Sequence, residues 1–383
     1  MKKTLLATTA LAVSGFVAGE ALAVDVELYG QVNKALMMVD DGSNTDFSVV
    51  DNDVSSTRFG MKGSQALDNG LTASVLFEGE VQDNASNSVT QNLTANQSTA
   101  ASDPAAAAFS SRHARVGLAG DWGAVFVGRQ STASDSVSEQ DMVGVGDLMY
   151  SGPADIGGGY KIRTSTAGNA LSATLTDSAI VSGSTSVGTM ADNYDGNSRA
   201  NAIRYDSPIF NGFQGRASIA QGGDMDIAGY YNGKVQNVAL KAALGYVMFN
   251  DAAANGPSAP NKLVSQLSGS LTAALDNGFA GTVAYGNRSL DNKTTGTDDP
   301  SFFYAKVGYS WDAFEIAADY GNYNDQVTSV TTDHELGTFG FGGQYNLGNG
   351  VSVAGMYRNY DADVTGITTE DIGVYAMSLR VKF

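Results

Sequence analysis

Residues 373–383 read GVYAMSLRVKF and alternate between two kinds of side chain. Counted back by twos from the last residue, every side chain is large and apolar: Phe383, Val381, Leu379, Met377 and Tyr375. A β-strand directs alternate side chains to opposite faces, so one face of this segment is apolar and the other is mostly polar or small. An aromatic residue at the edge of the apolar face is typical of a strand that closes a barrel in a lipid bilayer. The pattern predicts that Tyr375 and Phe383 carry the signal for barrel assembly.

The other end of the chain has the features of a secretory signal peptide. Two lysines precede an apolar run, residues 5–18, and a small-x-small cleavage site follows. The run is too short and wrongly flanked for a membrane anchor. We therefore predict that residues 1–23 are removed by cleavage between Ala23 and Val24, and that residues 24–383 are exported as one domain.

The composition narrows the class of protein. The chain has no cysteine, so no disulfide holds it together. Beyond the signal peptide, no apolar run approaches the ~20 residues of a membrane helix. The 46 glycines, 17 tyrosines and 16 phenylalanines, against 6 prolines, favour many glycine-punctuated strands. The excess of 40 acidic over 22 basic residues argues against nucleic acid as a partner, because phosphates would be repelled.

A period of two recurs along the whole chain, as in residues 71–78, 238–248, 303–311 and 314–320. Short turn sequences separate such runs at Asp68-Asn69-Gly70, Asp121-Trp122-Gly123, Phe210-Asn211-Gly212, Asn232-Gly233, Asp276-Asn277-Gly278, Asp312-Ala313 and Leu347-Gly348-Asn349-Gly350. Long polar loops lie between them, and this asymmetry is typical of outer-membrane barrels. Seven hairpins and one further strand at each end predict an all-β, transmembrane antiparallel barrel of 16 strands. A hairpin around Gly168-Asn169 would raise the number to 18.

Five stretches resemble the Gram-negative general (diffusion) porins, of the alphaproteobacterial type. They are ELYGQV (27–32), STRFGMKGS (56–64), RVGLAGDWGAVFVGRQ (115–130), NAIRYDSPIFNGF (201–213) and SLRVKF (378–383). The resemblance implies an outer-membrane location and homotrimers in which the second loop contacts a neighbour. It also implies that a long third loop, Ser131 to Asn197, folds into the lumen and narrows the pore, which favours 16 strands over 18.

The pore chemistry follows from charges on that loop and on the strands. The predicted acidic side of the constriction is Asp135, Glu139, Asp141, Asp147 and Asp155. The alternation of the strands directs Arg58, Lys62, Arg115 and Arg204 inward as the basic side, and Arg216 and Lys241 share this inward face. Arg129 matches the family's wall arginine, although simple parity groups it with Val127 unless a bulge intervenes. Carboxylates facing guanidiniums across a narrow gap create a transverse field that favours small hydrophilic solutes.

The sequence therefore predicts an outer-membrane channel for passive diffusion of small hydrophilic solutes and ions, weakly cation-selective because the chain is acidic. The alternatives are a substrate-specific channel on the same barrel, with inward tyrosines such as Tyr304 and Tyr360 as a partial track, and a secreted β-rich adhesin. An enzyme is not expected, because His113 and His334 have no catalytic or metal-binding motif around them.

No cofactor is expected. Acidic pairs, Glu78 with Glu80 and Asp224 with Asp226, could bind Ca²⁺ through oxygen ligands. The alternative is a surface that attracts cations without a fixed ion.

Overall fold

A computed structural model of the chain describes residues 25–91, 109–166, 169–174, 185–250, 260–329 and 331–383. The predicted signal peptide and its cleavage site, Ala23 and Val24, lie outside these residues. Almost all regular structure is β-strand, as the glycine-punctuated alternation predicts. Among the described residues, no helix has the length and apolarity needed to cross a membrane.

The strands are β1 Asp25–Asp40, β2 Thr45–Asp51, β3 Arg58–Ala66, β4 Thr72–Glu80, β5 Ser110–Gly120, β6 Gly123–Ser131, β7 Arg163–Thr166, β8 Asn169–Thr174, β9 Arg199–Asp206, β10 Phe213–Ala220, β11 Met225–Val235, β12 Val238–Met248, β13 Lys262–Leu275, β14 Phe279–Asp291, β15 Ser301–Trp311, β16 Phe314–Asn324, β17 His334–Gly348, β18 Val351–Val364, β19 Thr369–Glu370 and β20 Ile372–Lys382. The helices are α1, Val187–Met190, and 3₁₀ turns at Asp53–Ser55 and Pro153–Asp155.

The barrel closes between its first and last strands. Strand β20 pairs with β18 on one side and with β1 on the other, from Gln31 with Lys382 to Asp40 with Gly373. Strands β2 and β3 both pair with β1, over its second and first halves, so they form one barrel strand interrupted at residues 52–57. All other neighbours are antiparallel and follow chain order from β3 to β18, with β6 pairing directly to β9. The predicted 16-stranded closed barrel is confirmed.

The hairpin that would have made 18 strands does form, but it is not part of the barrel. Strands β7 and β8 pair with each other, from Arg163 with Thr174 to Thr166 with Asn169, and β7 pairs with β19 in the last long loop. These three short strands make a separate sheet on the long-loop side of the barrel. The 18-stranded alternative is wrong, because the barrel ladder passes from β6 to β9.

The two faces of the barrel wall differ as the alternation predicts. In β20, Met377 is 53% exposed whereas its neighbours Ala376 and Ser378 are 6% and 1% exposed. Leaving a large apolar side chain in water costs about 1.5–3 kcal/mol relative to burying it, so this outward face is stable only against lipid. Outward aromatic pairs at the short-turn end lie with ring centroids 4.6 Å apart: Phe213 with Tyr231, Phe279 with Tyr309 and Phe314 with Tyr345. Such rings form the interfacial belt of a membrane barrel.

The C-terminal residue takes part in the closure. The backbone of Phe383 exchanges two hydrogen bonds of 3.0 Å with Gly30 of β1. The Phe383 ring lies over Gly30 so closely that a Cβ there would come within 2.6 Å of it. The role of Phe383 and Tyr375 as an assembly signal stays a prediction.

One predicted turn is wrong. Asn232-Gly233 lies inside β11, where Asn232 pairs with Lys241 and Gly233 with Leu240. The chain reverses instead between Val235 and Val238, with Gln236 at a positive φ of 53°. Eleven paired residues on each strand outweigh the local turn preference of Asn-Gly, since tertiary pairing overrides propensity.

The main apolar core lies on the buried face of the barrel. It joins residues of the segment after β6, such as Leu148, Met149 and Ile156, to wall residues such as Phe302 and Tyr304. The inner face of the wall therefore carries an apolar patch that this segment covers, whereas the large apolar side chains of the outer face meet lipid.

Candidate pore constriction

Residues 132–162, here called the β6–β7 segment, run across the buried face of half the barrel. Both the backbone N–H and the hydroxyl of Ser134 donate to Asp226 of β11, at 2.8 and 2.5 Å. Further along, the backbone N–H of Gln140 donates to Ser270 of β13 at 2.9 Å. The Tyr360 hydroxyl of β18 donates to two carbonyls of the segment at 2.6 and 2.7 Å. The segment is thus tied to the wall at successive strands and not held at its ends alone.

Two of the predicted acidic residues serve as such ties. The Asp141 carboxylate accepts from Lys306 of β15 at 2.9 Å and from Thr282 at 2.8 Å. The Asp147 carboxylate is buried and pairs with Arg380 of β20 and the Ser352 hydroxyl of β18. The structure therefore does not bring Asp141 and Asp147 together with the other predicted acids.

A cavity of about 340 Å³, here called the charged cavity, lies between the segment and the wall strands β3, β4, β5 and β9. Its acidic groups are Asp53, Glu80, Glu139, Asp155 and Asp195, and its basic groups are Arg58, Arg112 and Arg199. Tyr150, Asn193 and the short stretch 54–56 complete the lining. Of the ten residues predicted for the pore, Glu139, Asp155 and Arg58 line this cavity.

The sequence reasoning missed two basic residues of the cavity, Arg199 and Arg112, and the position of Arg112 has a structural explanation. In the β4–β5 ladder, Glu78 pairs with His113 and Gly79 with Ser111, so Arg112 is the extra residue of a β-bulge. The bulge directs its guanidinium to the buried face, where it pairs with Glu78 at 2.7 Å and Glu80 at 2.5 Å. No local signal in the sequence marks this bulge.

The acidic side of the charged cavity is built from both ends of the loop. The Asn193 amide donates to Glu139 at 2.9 Å, the Tyr150 hydroxyl donates to Asp155, and the backbone N–H of Ser136 donates to Asp195. These contacts aim three carboxylates at one space, although Glu139 and Asp195 are far apart in sequence.

Burial raises the pKa of all three carboxyls. For Glu139 burial is the main cause, and the charge of Asp135 adds to it. The pKa of Asp155 lies well above its ordinary value because of burial and the nearby Asp53 charge. The pKa of Asp195 is also well above its ordinary value, through burial, then Glu139 and then Asp135. The predicted residue Asp135 thus does not line the cavity, but its charge helps to raise the pKa of Glu139 and Asp195.

Three predicted wall cations lie nearer the short-turn end. Lys62 lies four residues beyond Arg58 on β3 and pairs with Glu27 at 3.0 Å. Lys62 and Arg115 line a second cavity of about 490 Å³, together with Asp25, Glu27, Ser64 and Ser74. Arg204 of β9 is held by both oxygens of Asp206, at 2.8 and 3.0 Å.

A family model of Gram-negative porins matches residues 7–365. The chain belongs to the Gram-negative porin family. The structure of the porin resembles an anion-selective porin from Comamonas acidovorans, with 17% identity, a TM-score of 0.60 and coverage of 94% of this chain and 100% of that one. It also resembles a loop L8 deletion mutant of OmpT, an outer membrane protein of Vibrio cholerae, with 15% identity, a TM-score of 0.58 and the same coverage. A third similar structure is the outer membrane channel DcaP of Acinetobacter baumannii, with 10% identity, a TM-score of 0.56 and coverage of 94% and 97%.

At these identities the structural likenesses establish the fold alone. No curated protein matches the chain. The family and the fold together establish that the porin is an outer-membrane channel for passive diffusion, and they are those of a channel and not of an enzyme.

Arg129 of the porin does not join the other wall cations. In the β5–β6 ladder it pairs with Ala114, next to the pair of Arg115 with Gly128, and the register does not shift. Arg129 therefore shares the outward parity of Val127, as simple alternation indicates. Its guanidinium donates to the Ser111 carbonyl at 2.6 Å.

The inward tyrosines of the porin do not form a solute track. Tyr304 is fully buried and donates to Asp319, and Tyr360 is fully buried against the β6–β7 segment. A sugar track would need aromatic faces open to the passage, so this route to a substrate-specific channel lacks its residues in the described part of the barrel.

The acidic pairs considered for Ca²⁺ are engaged with protein groups. Glu78 and Glu80 pair with Arg112, and Asp226 accepts from two serines. Asp224 accepts the backbone N–H of Asn250 at 2.8 Å. Within the described ranges, no three His, Cys, Asp or Glu side chains are grouped so as to hold a metal ion. Ca²⁺ binding stays a prediction.

Proposed function

We propose that the porin is a weakly cation-preferring general diffusion channel whose β6–β7 segment lies in the lumen and narrows it at the charged cavity. The observation that carries the proposal is the charged cavity itself, where loop carboxylates face wall guanidiniums. The ties of the segment to buried-face residues of β11, β13 and β18 support its placement in the lumen.

Opposed charges at this place would select solutes by polarity. Loop carboxylates on one side and Arg58 and Arg199 on the other create a transverse field that orders water in the gap. A polar solute can replace the ordered water, whereas an apolar one must disrupt it. The passage therefore favours small hydrophilic molecules.

The cation preference rests on the local balance of charge. The charged cavity holds five carboxyl groups against three guanidiniums, and Arg112 is already paired with two glutamates. Burial raises the pKa of Glu139, Asp155 and Asp195, so these carboxyls hold their negative charge less strongly than solvated ones. The preference for cations is therefore weak. Anion selectivity is a property of the Comamonas acidovorans porin and does not transfer at 17% identity.

A homotrimer is the assembly we propose. One structural neighbour, OmpT of Vibrio cholerae, is described in a trimer form, at 14% identity and a TM-score of 0.55. Most barrel strands of this porin expose large apolar side chains outward, a surface suited to contact with lipid or with further copies. Closure of the channel in three equal conductance steps would support the trimer, and a single step would contradict it.

The direct test is the reversal potential in a planar bilayer under a KCl gradient. We expect a modest preference for K⁺, and we expect the double variant Glu139→Gln/Asp155→Asn to move the reversal potential toward the Cl⁻ limit. Asp276→Asn is the matched control, because Asp276 lies in an exposed short turn, where it pairs with Lys234. A wild-type preference for Cl⁻, or an equal change in the control, would contradict the proposal.

The reversal potential of the porin is also expected to depend on pH. Carboxyls with raised pKa bind protons at a higher pH than solvated ones, so lowering the solution from about pH 8 to about pH 5 neutralises part of the acidic side while the arginines stay charged. The preference should move toward anions over this range. The change should be smaller in Glu139→Gln/Asp155→Asn, and an equal change in both proteins would place the titrating groups elsewhere.

A further inference from the structure

We propose that Arg115, Arg204 and Arg216 form a binding subsite for a doubly charged oxyanion, a dicarboxylate or a phosphate, on the short-turn side of the charged cavity. This inference goes beyond the diffusion function and does not depend on the cation preference. Short turns mark the periplasmic end of such barrels, so the subsite lies between the constriction and the periplasm.

The three guanidiniums are brought together by neighbouring strands. Phe126 of β6 pairs with Arg204 of β9, and the guanidiniums of Arg204 and of Arg115 of β5 both lie close to its ring. The two guanidinium carbons are 5.1 and 4.0 Å from the ring centroid. Arg216 of β10 lies 4.1 Å from the ring of Tyr230. Both aromatic rings hold planar guanidiniums in fixed orientations.

The charge of this group is not balanced. Asp206 is the carboxylate in contact with it, at 2.8 Å from Arg204 and 3.7 Å from Arg216. In the described structure, Arg115 makes no ion pair, and its Nε and Nη1 atoms are buried without a hydrogen-bond partner. Three cations and one anion leave an excess of two positive charges. Charges beside a low-dielectric wall are costly unless paired, so the excess favours a ligand with two negative charges.

The chemistry and the access both suit an oxyanion. A guanidinium presents a planar fork of donors that matches carboxylate and phosphate groups. Arg115 lines the second cavity, whose volume of about 490 Å³ admits a solute of a few carbon atoms. Two hydroxyls, from Ser64 and Ser74, line the same cavity as further donors. Its carboxylates are Asp25 and Glu27 of β1: Glu27 pairs with Lys62 at 3.0 Å, and Asp25 leaves one negative charge against the positive excess of the arginines.

The test is single-channel recording in KCl with succinate or inorganic phosphate added at the periplasmic end. We expect brief, concentration-dependent current blocks in the wild type. Arg115→Gln should weaken the block at least about tenfold, the factor for one charge-assisted contact. Block by succinate alone would identify a dicarboxylate site, and block by phosphate alone a phosphate site.

Two further variants keep the test decisive. Lys241→Gln removes an inward cation of β12, and the block should stay within about twofold of the wild type because Lys241 lies outside the arginine group. Arg115→Lys keeps the charge but loses the fork, and it should weaken the block even where it folds normally on a heat-modifiability gel. Absence of block by both probes, or equal weakening by Lys241→Gln, would overturn the proposal. The KCl reversal potential is read separately, so a failed cation preference is distinguishable from a failed subsite.

Discussion

Replacing Lys306 with methionine is expected to widen the channel. Lys306 is fully buried, and its ammonium group binds Asp141 at 2.9 Å and the Met149 carbonyl at 2.7 Å. Methionine has a similar length but no charge, so Asp141 would remain largely buried without its partner. Breaking a buried ion pair on one side costs about 3–5 kcal/mol. The backbone ladder of β15 does not use this side chain, so the cost falls on the contact between the β6–β7 segment and the wall.

The expected result is a higher single-channel conductance and faster entry of larger sugars in liposome-swelling assays. Lys241→Met is the matched control, since it removes a lysine from the same face at a place where the described structure shows no ion pair. The double variant Lys306→Met/Asp141→Leu should recover much of the wild-type behaviour, because an apolar pair can replace a buried ionic one. Unchanged conductance in Lys306→Met would show that the segment is held without this ion pair.

Replacing Arg358 with methionine is expected to destabilise the barrel itself. Arg358 of β18 and Asp319 of β16 are both fully buried at their side chains and 2.5 Å apart, on either side of β17. They meet over Gly340, where a Cβ would come within 2.7 Å of the Asp319 carboxylate. Without Arg358, Asp319 keeps the Tyr304 hydroxyl at 2.9 Å as its hydrogen-bond donor. Leaving the Asp319 carboxylate buried without its cationic partner should lower the free energy of unfolding by about 3–5 kcal/mol.

The measurement is the temperature at which the folded band on a denaturing gel converts to the unfolded one. Arg358→Met and Asp319→Leu should each lower it markedly. The double variant should come close to the wild type, because the two losses share one cause and are not additive. If the double variant instead lost as much as the two single variants added together, the pair would not act as a unit.

The strands and their faces were predictable because alternation is a local property of the chain. Residues 373–383 need no partner to show which side chains face lipid. The turn between β11 and β12 was misplaced, since its position depends on how many residues the two strands pair. Arg112 was missed for the same reason, because a bulge exists only with respect to a neighbouring strand.

The path of the β6–β7 segment was less accessible from sequence. All five predicted acids lie in a glycine- and serine-rich run, and nothing local separates Asp141 from Glu139. The distinction arises from the partner that each one meets: Asp141 pairs with Lys306 of the wall, whereas Glu139 meets Asn193 of the same loop and faces the charged cavity. Asp195 escaped prediction because it lies at the far end of the loop and reaches the cavity only after the loop folds back.

The pair of Asp147 with Arg380 ties the middle of the β6–β7 segment to the strand that seals the barrel. The two residues are far apart in the chain, so joining them costs loop-closure entropy. The contacts that offset this cost form when β20 docks between β18 and β1. Docking of β20 therefore closes the barrel and completes this tie of the segment to the wall at the same time. A chain in which β20 has not docked is an open sheet whose β6–β7 segment lacks its bond to the closing strand.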